Sequence, residues 1–193
     1  MLRRSARSIL VGLAALMLAG CALLAGRFGD LKTVDHVDLA RYMGHWRVIA
    51  NIPYFAEADC FDSIESYALR PDGDIDNWFD CRKKSASAPL ARQAQARAVV
   101  VNRSTQAEWN VLFFGFLKIK YVVLAIDPDY QWIAVGHPSR HYGWVMARGT
   151  SLPDDTYARI LAVFAEQGYD ISRFSKVPQS AVPVDPAPFD PKR

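Results

Sequence analysis

The sequence lacks the short motifs that mark the common catalytic sites. It contains no Gly-x-Ser-x-Gly nucleophile turn, no His-Glu-x-x-His zinc motif and no glycine-rich phosphate loop. It has only 4 histidines, of which His137 and His141 flank one turn. These two could bind a metal or heme, but isolated loop histidines are usually solvated. We therefore expect no catalytic residue, no metal and no cofactor.

The chain also lacks an excess of charge once its first residues are set aside. It has 23 basic and 20 acidic residues, and a formal net charge of +3. Residues 1–20 contain three of the basic residues, Arg3, Arg4 and Arg7, and no acid, so the remainder is about neutral. A neutral remainder removes the compositional support for nucleic-acid binding.

Residues 1–20 have the features of a lipoprotein signal peptide. An arginine-rich start precedes an apolar run over residues 9–17, which is too short to span a bilayer comfortably. Leu18-Ala19-Gly20-Cys21 follows, and the order resembles the bacterial lipoprotein signal, in which Cys21 becomes the lipidated first residue. The alternative is an ordinary secretory signal that is cleaved after Ala19.

The residues after Cys21 indicate a location. Ala22 stands where an aspartate would be expected in a lipoprotein retained in the inner membrane, so the pattern resembles outer-membrane sorting. We expect a lipid-anchored protein of the outer membrane, on its periplasmic face, with residues 21–36 as the tether.

Cysteine is scarce, and the three residues can each be assigned. With Cys21 lipidated, Cys60 and Cys81 remain in a compartment where disulfides persist. Between them, Arg70-Pro71-Asp72-Gly73 is a turn signal that brings position 60 opposite about 81 to 83. A disulfide closing this loop would stabilise the fold by about 3 kcal/mol. The alternative, half of a metal site, lacks a nearby histidine at ligand spacing.

The rest of the sequence consists mainly of short strand patterns separated by turns. One helix is predicted after them, with Ser151 as its cap, Pro153 in its first turn and Gly168 at its end. A short strand could cover 170–174, and the proline-rich residues 177–193 indicate an extended tail. The predicted strands lie at 44–52, 61–69, 74–81, 91–101, 108–114, 119–126, 131–137 and 141–148.

This order of elements predicts an all-β fold, an eight-stranded antiparallel up-and-down barrel with one C-terminal α-helix packed outside. A two-sheet sandwich is the competing architecture. The fourth strand favours the barrel, because its inner face carries the small residues Ala94, Ala96 and Ala98, which suit a cavity better than a packed core.

Several motifs together resemble those of the lipocalins, specifically the bacterial lipoprotein type related to apolipoprotein D. These motifs are Gly44-His45-Trp46 on the first strand, Asp127 to Tyr130 at a turn, and Arg148 after the last strand. Phe113-Phe114-Gly115 and the segment from Ile160 to Phe174 add to them. The resemblance covers 37–176, which we expect to be the lipocalin domain, and leaves the Cys60–Cys81 pair and the tail outside the family pattern.

The resemblance implies a cup that is closed at one end by Gly44, Trp46 and Arg148 and that holds a fatty acid or lysophospholipid for envelope lipid transport, storage or repair. Glu65 shares a face with Tyr67, so it would contact a head group or mark a bulge. A homodimer, an enzyme acting on a lipid or isoprenoid, and a structural lipoprotein with a filled barrel stay open as alternatives. The residues implied to line the cup are Tyr67, Asn77, Phe79, Ala96, Ala98, Trp109, Val111, Phe113, Tyr121, Val123, Val135, Tyr142 and Trp144.

Overall fold

The computed structural model describes residues 29–180 and 182–186, and its main element is one closed antiparallel sheet. Strands β2 to β8 follow one another in chain order, and β1 pairs with both β8 and β2. This double pairing closes the eight-stranded barrel, so the predicted fold class is confirmed. The strands are β1 (Gly44–Asn51), β2 (Cys60–Leu69), β3 (Ile75–Lys83), β4 (Ala91–Val100), β5 (Glu108–Phe113), β6 (Leu117–Ile126), β7 (Trp132–Gly136), β8 (Gly143–Ala147) and β9 (Ser175–Lys176); the helices are α1 (Leu39–Tyr42) and α2 (Asp154–Glu166), with a 3₁₀ turn at Ile171–Arg173.

Alternation along the strands separates two apolar layers. On β7, Ile133 and Val135 belong to a buried cluster inside the barrel, whereas Ala134 belongs to a second cluster outside it. That outer cluster includes Ile160 and Phe164 of α2. Because strand side chains alternate between faces, the same short strands both line the barrel and support the helix.

Two local predictions after the barrel were wrong. Helix α2 begins at Asp154, with Pro153 at its N-cap position and no side-chain cap, so Ser151 does not cap it. The strand predicted over 170–174 is a 3₁₀ turn, because the Asp170 side chain accepts a hydrogen bond from the Ser172 backbone and favours a turn there.

The predicted disulfide is present between Cys60 and Cys81, whose Cα atoms are 5.6 Å apart. Cys60 pairs directly with Lys83 across the β2–β3 hairpin, which lies inside the range expected from the turn. The bridge therefore ties the start of β2 to the end of β3, at the end of the barrel where β1 ends and β2 begins. We call this end the mouth.

The proline-rich tail lies along the barrel wall. Strand β1 pairs with β2 only as far as Arg47 and Ile64, and the tail bonds to both strands beyond that point. The Val177 N–H donates to the Ile49 carbonyl at 2.9 Å, and the Pro178 carbonyl accepts from the Asp62 N–H at 2.9 Å. The tail thus bridges the two strands where they separate.

The chain just before the barrel also contacts it. The Val34 N–H donates to the Val123 carbonyl at 3.1 Å, so part of the segment predicted as a tether lies against β6. Among the described residues, no helix is both long and apolar enough to cross a bilayer.

Candidate functional site

The end of the barrel opposite the mouth is closed by a stacked pair. The Arg148 guanidinium lies 3.6 Å from the centre of the Trp46 ring, and Trp46 is fully buried. Gly44 precedes them at a φ of +95°, a conformation that favours glycine, with Arg148 Nη1 3.4 Å from the position that a Cβ would take. The Gly-x-Trp spacing therefore reflects both the backbone turn and the room that the guanidinium needs.

Hydrogen bonds hold Arg148 and helix α1 together at this closed end of the barrel. Arg148 Nη1 donates to the His45 carbonyl at 2.8 Å, and Arg148 Nη2 donates to the carbonyls of Arg41 and Met43 at 2.8 and 3.0 Å. The Trp46 indole N–H donates to the Tyr42 carbonyl at 2.8 Å. These contacts are all internal to the protein, so this end is built for stability.

A layer of large rings fills the interior next to Trp46. The Tyr121 hydroxyl oxygen lies 2.6 Å from that of Tyr42 and 2.9 Å from that of Tyr67. Trp109 stacks on Tyr121 with 4.7 Å between ring centres. Burial raises the pKa of all three tyrosines, so the hydroxyls stay protonated and satisfy one another. We call Tyr42, Tyr67, Trp109 and Tyr121 the tyrosine floor.

The small face of β4 belongs to this packed layer. Ala96 and Ala98 are buried in the same cluster as the four rings, so their small size makes room for neighbouring side chains. The small residues of β4 had suggested an empty space through the full depth of the barrel. The structure instead has a packed layer of rings beside them.

The residues implied to line the cup fall into three groups. Those in the buried interior cluster are Tyr67, Ala96, Ala98, Trp109, Val111, Tyr121, Val123 and Val135, with Phe113 and Trp144 partly buried against them. Asn77 is buried beside Glu65, and Phe79 packs with the two cysteines and Ala94. Tyr142 is 36% exposed and precedes β8, because Arg140 adopts a φ of 58° and the chain is still turning there.

Glu65 points into the barrel from β2. It shares the alternation of Tyr67, and its Oε2 accepts a hydrogen bond from Asn77 Nδ2 at 2.7 Å. The side chain keeps some accessible surface, although it sits in the barrel wall. Burial in the apolar interior, together with the charge of Glu57, raises the pKa of Glu65 to about 8.

Glu57 is a second interior acid, and sequence reasoning missed it. It lies in the connection between β1 and β2 and is buried, with Oε2 accepting from Asn51 Nδ2 at 2.5 Å and from Trp144 Nε1 at 3.2 Å. The Tyr54 hydroxyl donates to Oε1 at 3.0 Å. Burial raises the pKa of Glu57, against the effect of these three donors. The available signal was an acid in the aromatic-rich connection between the first two predicted strands.

Aromatic rings surround Glu57 at the mouth. Tyr142 stacks on Trp144 with 6.5 Å between ring centres, and Tyr54 meets Tyr142 edge-on at 5.7 Å. Both Tyr54 and Trp144 are partly accessible. The mouth therefore combines a carboxylate with open ring faces.

The loop histidines form no metal site within residues 29–180 and 182–186. His137 Nδ1 lies 2.8 Å from Ser139 Oγ, and its ring meets Tyr142 edge-on. No group of three potential metal ligands occurs in those residues.

Comparisons with known proteins agree with this geometry. The model of the lipocalin-like domain family matches residues 37–179. Temperature-induced lipocalin-1 of Arabidopsis thaliana is 34% identical over 177 residues, which cover 84% of this chain and 91% of the relative. Outer membrane lipoprotein Blc of Escherichia coli K12 is 30% identical over 149 residues, covering 77% and 83%.

A solved structure shares the fold at lower identity. Insecticyanin from the tobacco hornworm Manduca sexta superposes with a TM-score of 0.64 at 19% identity, covering 81% of this chain and 88% of the other. The family match, the relatives and the closed barrel with its Trp46–Arg148 floor lead to one assignment: the chain is a member of the lipocalin family.

Proposed function

We propose that this lipocalin binds one amphiphilic lipid, a fatty acid or a lysophospholipid, in the part of its barrel between the tyrosine floor and the mouth. The observation that carries the proposal concerns three side chains that keep accessible surface. Phe113 and Trp144 pack against the interior cluster, and Glu65 shares the inward face of Tyr67 on β2. Side chains that filled this part of the barrel would have covered them.

The chemistry of that space suits an acyl chain with a polar head. Phe79, Phe113 and Trp144 offer apolar contact, and each buried methylene contributes about 0.8 kcal/mol. Asn77 and Glu65 supply polar groups that can orient a head group. Nothing in these contacts requires a reaction, and members of the family generally bind ligands, so we expect binding without turnover.

The rim of the mouth supports contact with a lipid surface. Phe55 is 93% exposed in the β1–β2 connection, and Phe114 and Phe116 are 84% and 81% exposed in the β5–β6 connection. Both connections leave the same end of an up-and-down barrel. Lys118 and Lys120 are exposed on the adjoining strand, where they would favour anionic lipid head groups.

We further propose an outer-membrane location with a lipid anchor at Cys21. The support is the signal-like order of residues 1–21 and the similarity to outer membrane lipoprotein Blc. Cys21 itself lies outside the described residues. A role in envelope lipid transport, storage or repair follows from binding a lipid at that place.

The test is native mass spectrometry of the full chain carrying Cys21→Ser, which cannot be lipidated, with a lysophospholipid and a fatty acid of equal chain length. We expect one lipid per chain and quenching of tryptophan fluorescence. Failure of both lipids to bind would refute the proposal and favour a barrel filled by its own side chains.

A further inference from the structure

Two acids, Glu57 and Glu65, border the proposed ligand space. Glu57 and Glu65 accept hydrogen bonds there from the neutral donors of Asn51, Tyr54, Trp144 and Asn77. Neither carboxyl forms an ion pair within residues 29–180 and 182–186. Lys83, a base at the mouth, has another partner, because its Nζ donates a hydrogen bond to Asp59.

Two interior acids without an ion-pair partner are costly in such a place, although the charge of nearby Lys83 lowers the pKa of Glu57 in part. Burial raises the pKa of both groups, and the charge of Glu57 adds to the shift of Glu65. A ligand that brought a positive charge between them would replace a neutral donor or a proton with a favourable ion pair. A carboxylate ligand would instead bring a negative charge next to Glu57 and make the ionisation of Glu65 still less favourable.

The aromatic surroundings of Glu57 suit a cation as well. Tyr142 is in ring contact with both Tyr54 and Trp144, and all three residues keep accessible surface. The faces of such rings attract ammonium groups, most strongly when the site is shielded from water. Carboxylates and ring faces together distinguish an ammonium from a neutral head of the same size.

We propose that the barrel selects amphiphiles whose head carries an ammonium group, which lies between Glu57 and Glu65 against the ring face of Trp144. This rests on the proposed lipid-binding function and narrows it, since long-chain amines and ammonium-bearing lysophospholipids are favoured over fatty acids. The alkyl chain then occupies the apolar space beside Phe79 and Phe113.

The experiment compares dodecylamine, dodecanol and dodecanoate at pH 7 by calorimetry, each below its micelle concentration, on the full chain with Cys21→Ser. Because the three probes share one alkyl chain, differences report the head group. We expect the amine to bind at least about tenfold more tightly than the alcohol, and the alcohol more tightly than the carboxylate.

The double variant Glu57→Gln and Glu65→Gln should bring the affinity for the amine down to the affinity for the alcohol, both measured on that variant. Glu166→Gln on the surface of α2 is the matched control and should change nothing. Circular dichroism of each variant confirms folding. A further pair of probes, lysophosphatidylethanolamine and lysophosphatidic acid of one chain length, tests whether the ammonium of a phospholipid binds at the site. A loss of affinity in the double variant for lysophosphatidylethanolamine alone identifies that ammonium as a ligand of the site.

Equal affinity for amine and alcohol, or an amine preference that survives in the double variant, would overturn this inference while lipid binding itself stood. Failure of all three dodecyl probes and of both lysophospholipids would overturn the inference together with the proposed function.

Discussion

The Arg148 guanidinium lies over the Trp46 ring, 3.6 Å from its centre, and donates hydrogen bonds to the backbone carbonyls of His45, Arg41 and Met43. This pair joins β1 to the residue that directly follows β8. It makes no contact that a ligand could replace, so its effect is expected on stability.

Trp46→Ala should therefore destabilise the barrel by about 3 to 5 kcal/mol, because it removes a fully buried ring and leaves Arg148 unstacked. Urea unfolding measures this loss. Lipid affinity, measured under conditions where the variant is still folded, should stay close to that of the wild type. A large loss of affinity in a folded variant would place the ligand at the floor and contradict the account.

The Cys60–Cys81 disulfide should contribute on the order of 3 kcal/mol, since it closes a loop with a sequence separation of 21 residues. The double variant Cys60→Ala and Cys81→Ala should lower the melting temperature by several degrees, and a reductant should lower that of the wild type in the same way. If a reductant also lowered the melting temperature of the double variant, the effect would have another cause.

Glu65 should make stability depend on pH. Its pKa is raised from 4.5 to about 8 in the folded protein by burial, the charge of Glu57 and, more weakly, that of Asp80. The unfolded chain therefore releases this proton first, so stability present below about pH 4.5 is lost as the pH rises through 8, by about 1.4 kcal/mol per unit.

Glu65→Gln should flatten this part of the profile, because an amide has no proton to lose and can still bond to Asn77. Urea unfolding from pH 4.5 to 8.5 compares the two proteins. Parallel profiles would show that Glu65 ionises freely and is not held in the interior.

The tail should stabilise the barrel through Asp62. Its side chain accepts hydrogen bonds at 2.6 Å from both the N–H and the hydroxyl of Ser180, and at 2.8 Å from Arg82 Nε. Ser180→Ala removes the hydroxyl donor to a buried carboxylate and should cost about 1 to 2 kcal/mol in thermal unfolding. Ser87→Ala in an exposed loop is the control. An equal loss of stability in the two variants would contradict a stabilising effect of the tail on the barrel.

Much of the barrel was predictable because its strands alternate and its turns have clear signals. The eight strands and the Cys60–Cys81 bridge depend on such local patterns, whereas the Trp46–Arg148 pair was expected only from the resemblance to lipocalins. Glu57 could not be assigned in this way. It lies in the β1–β2 connection, which has no periodicity, and its partners Asn51 and Trp144 come from two different strands.

The filled lower half of the barrel was equally hidden. Tyr42 belongs to a short helix before the barrel, and its hydroxyl meets that of Tyr121 across 79 positions of sequence. Alternation shows that Ala96 and Ala98 face inward, but it does not show which distant ring fills the space they leave.

The most direct test of lipid binding in the barrel compares two tryptophans on neighbouring strands. Trp144 of β8 packs against the interior cluster, whereas Trp132 of β7 packs against the cluster outside the barrel. The dissociation constant for lysophosphatidylethanolamine should rise about tenfold in Trp144→Ala and by less than about twofold in Trp132→Ala. Equal weakening in the two folded variants, or a greater loss in Trp132→Ala, would contradict a ligand held inside the barrel.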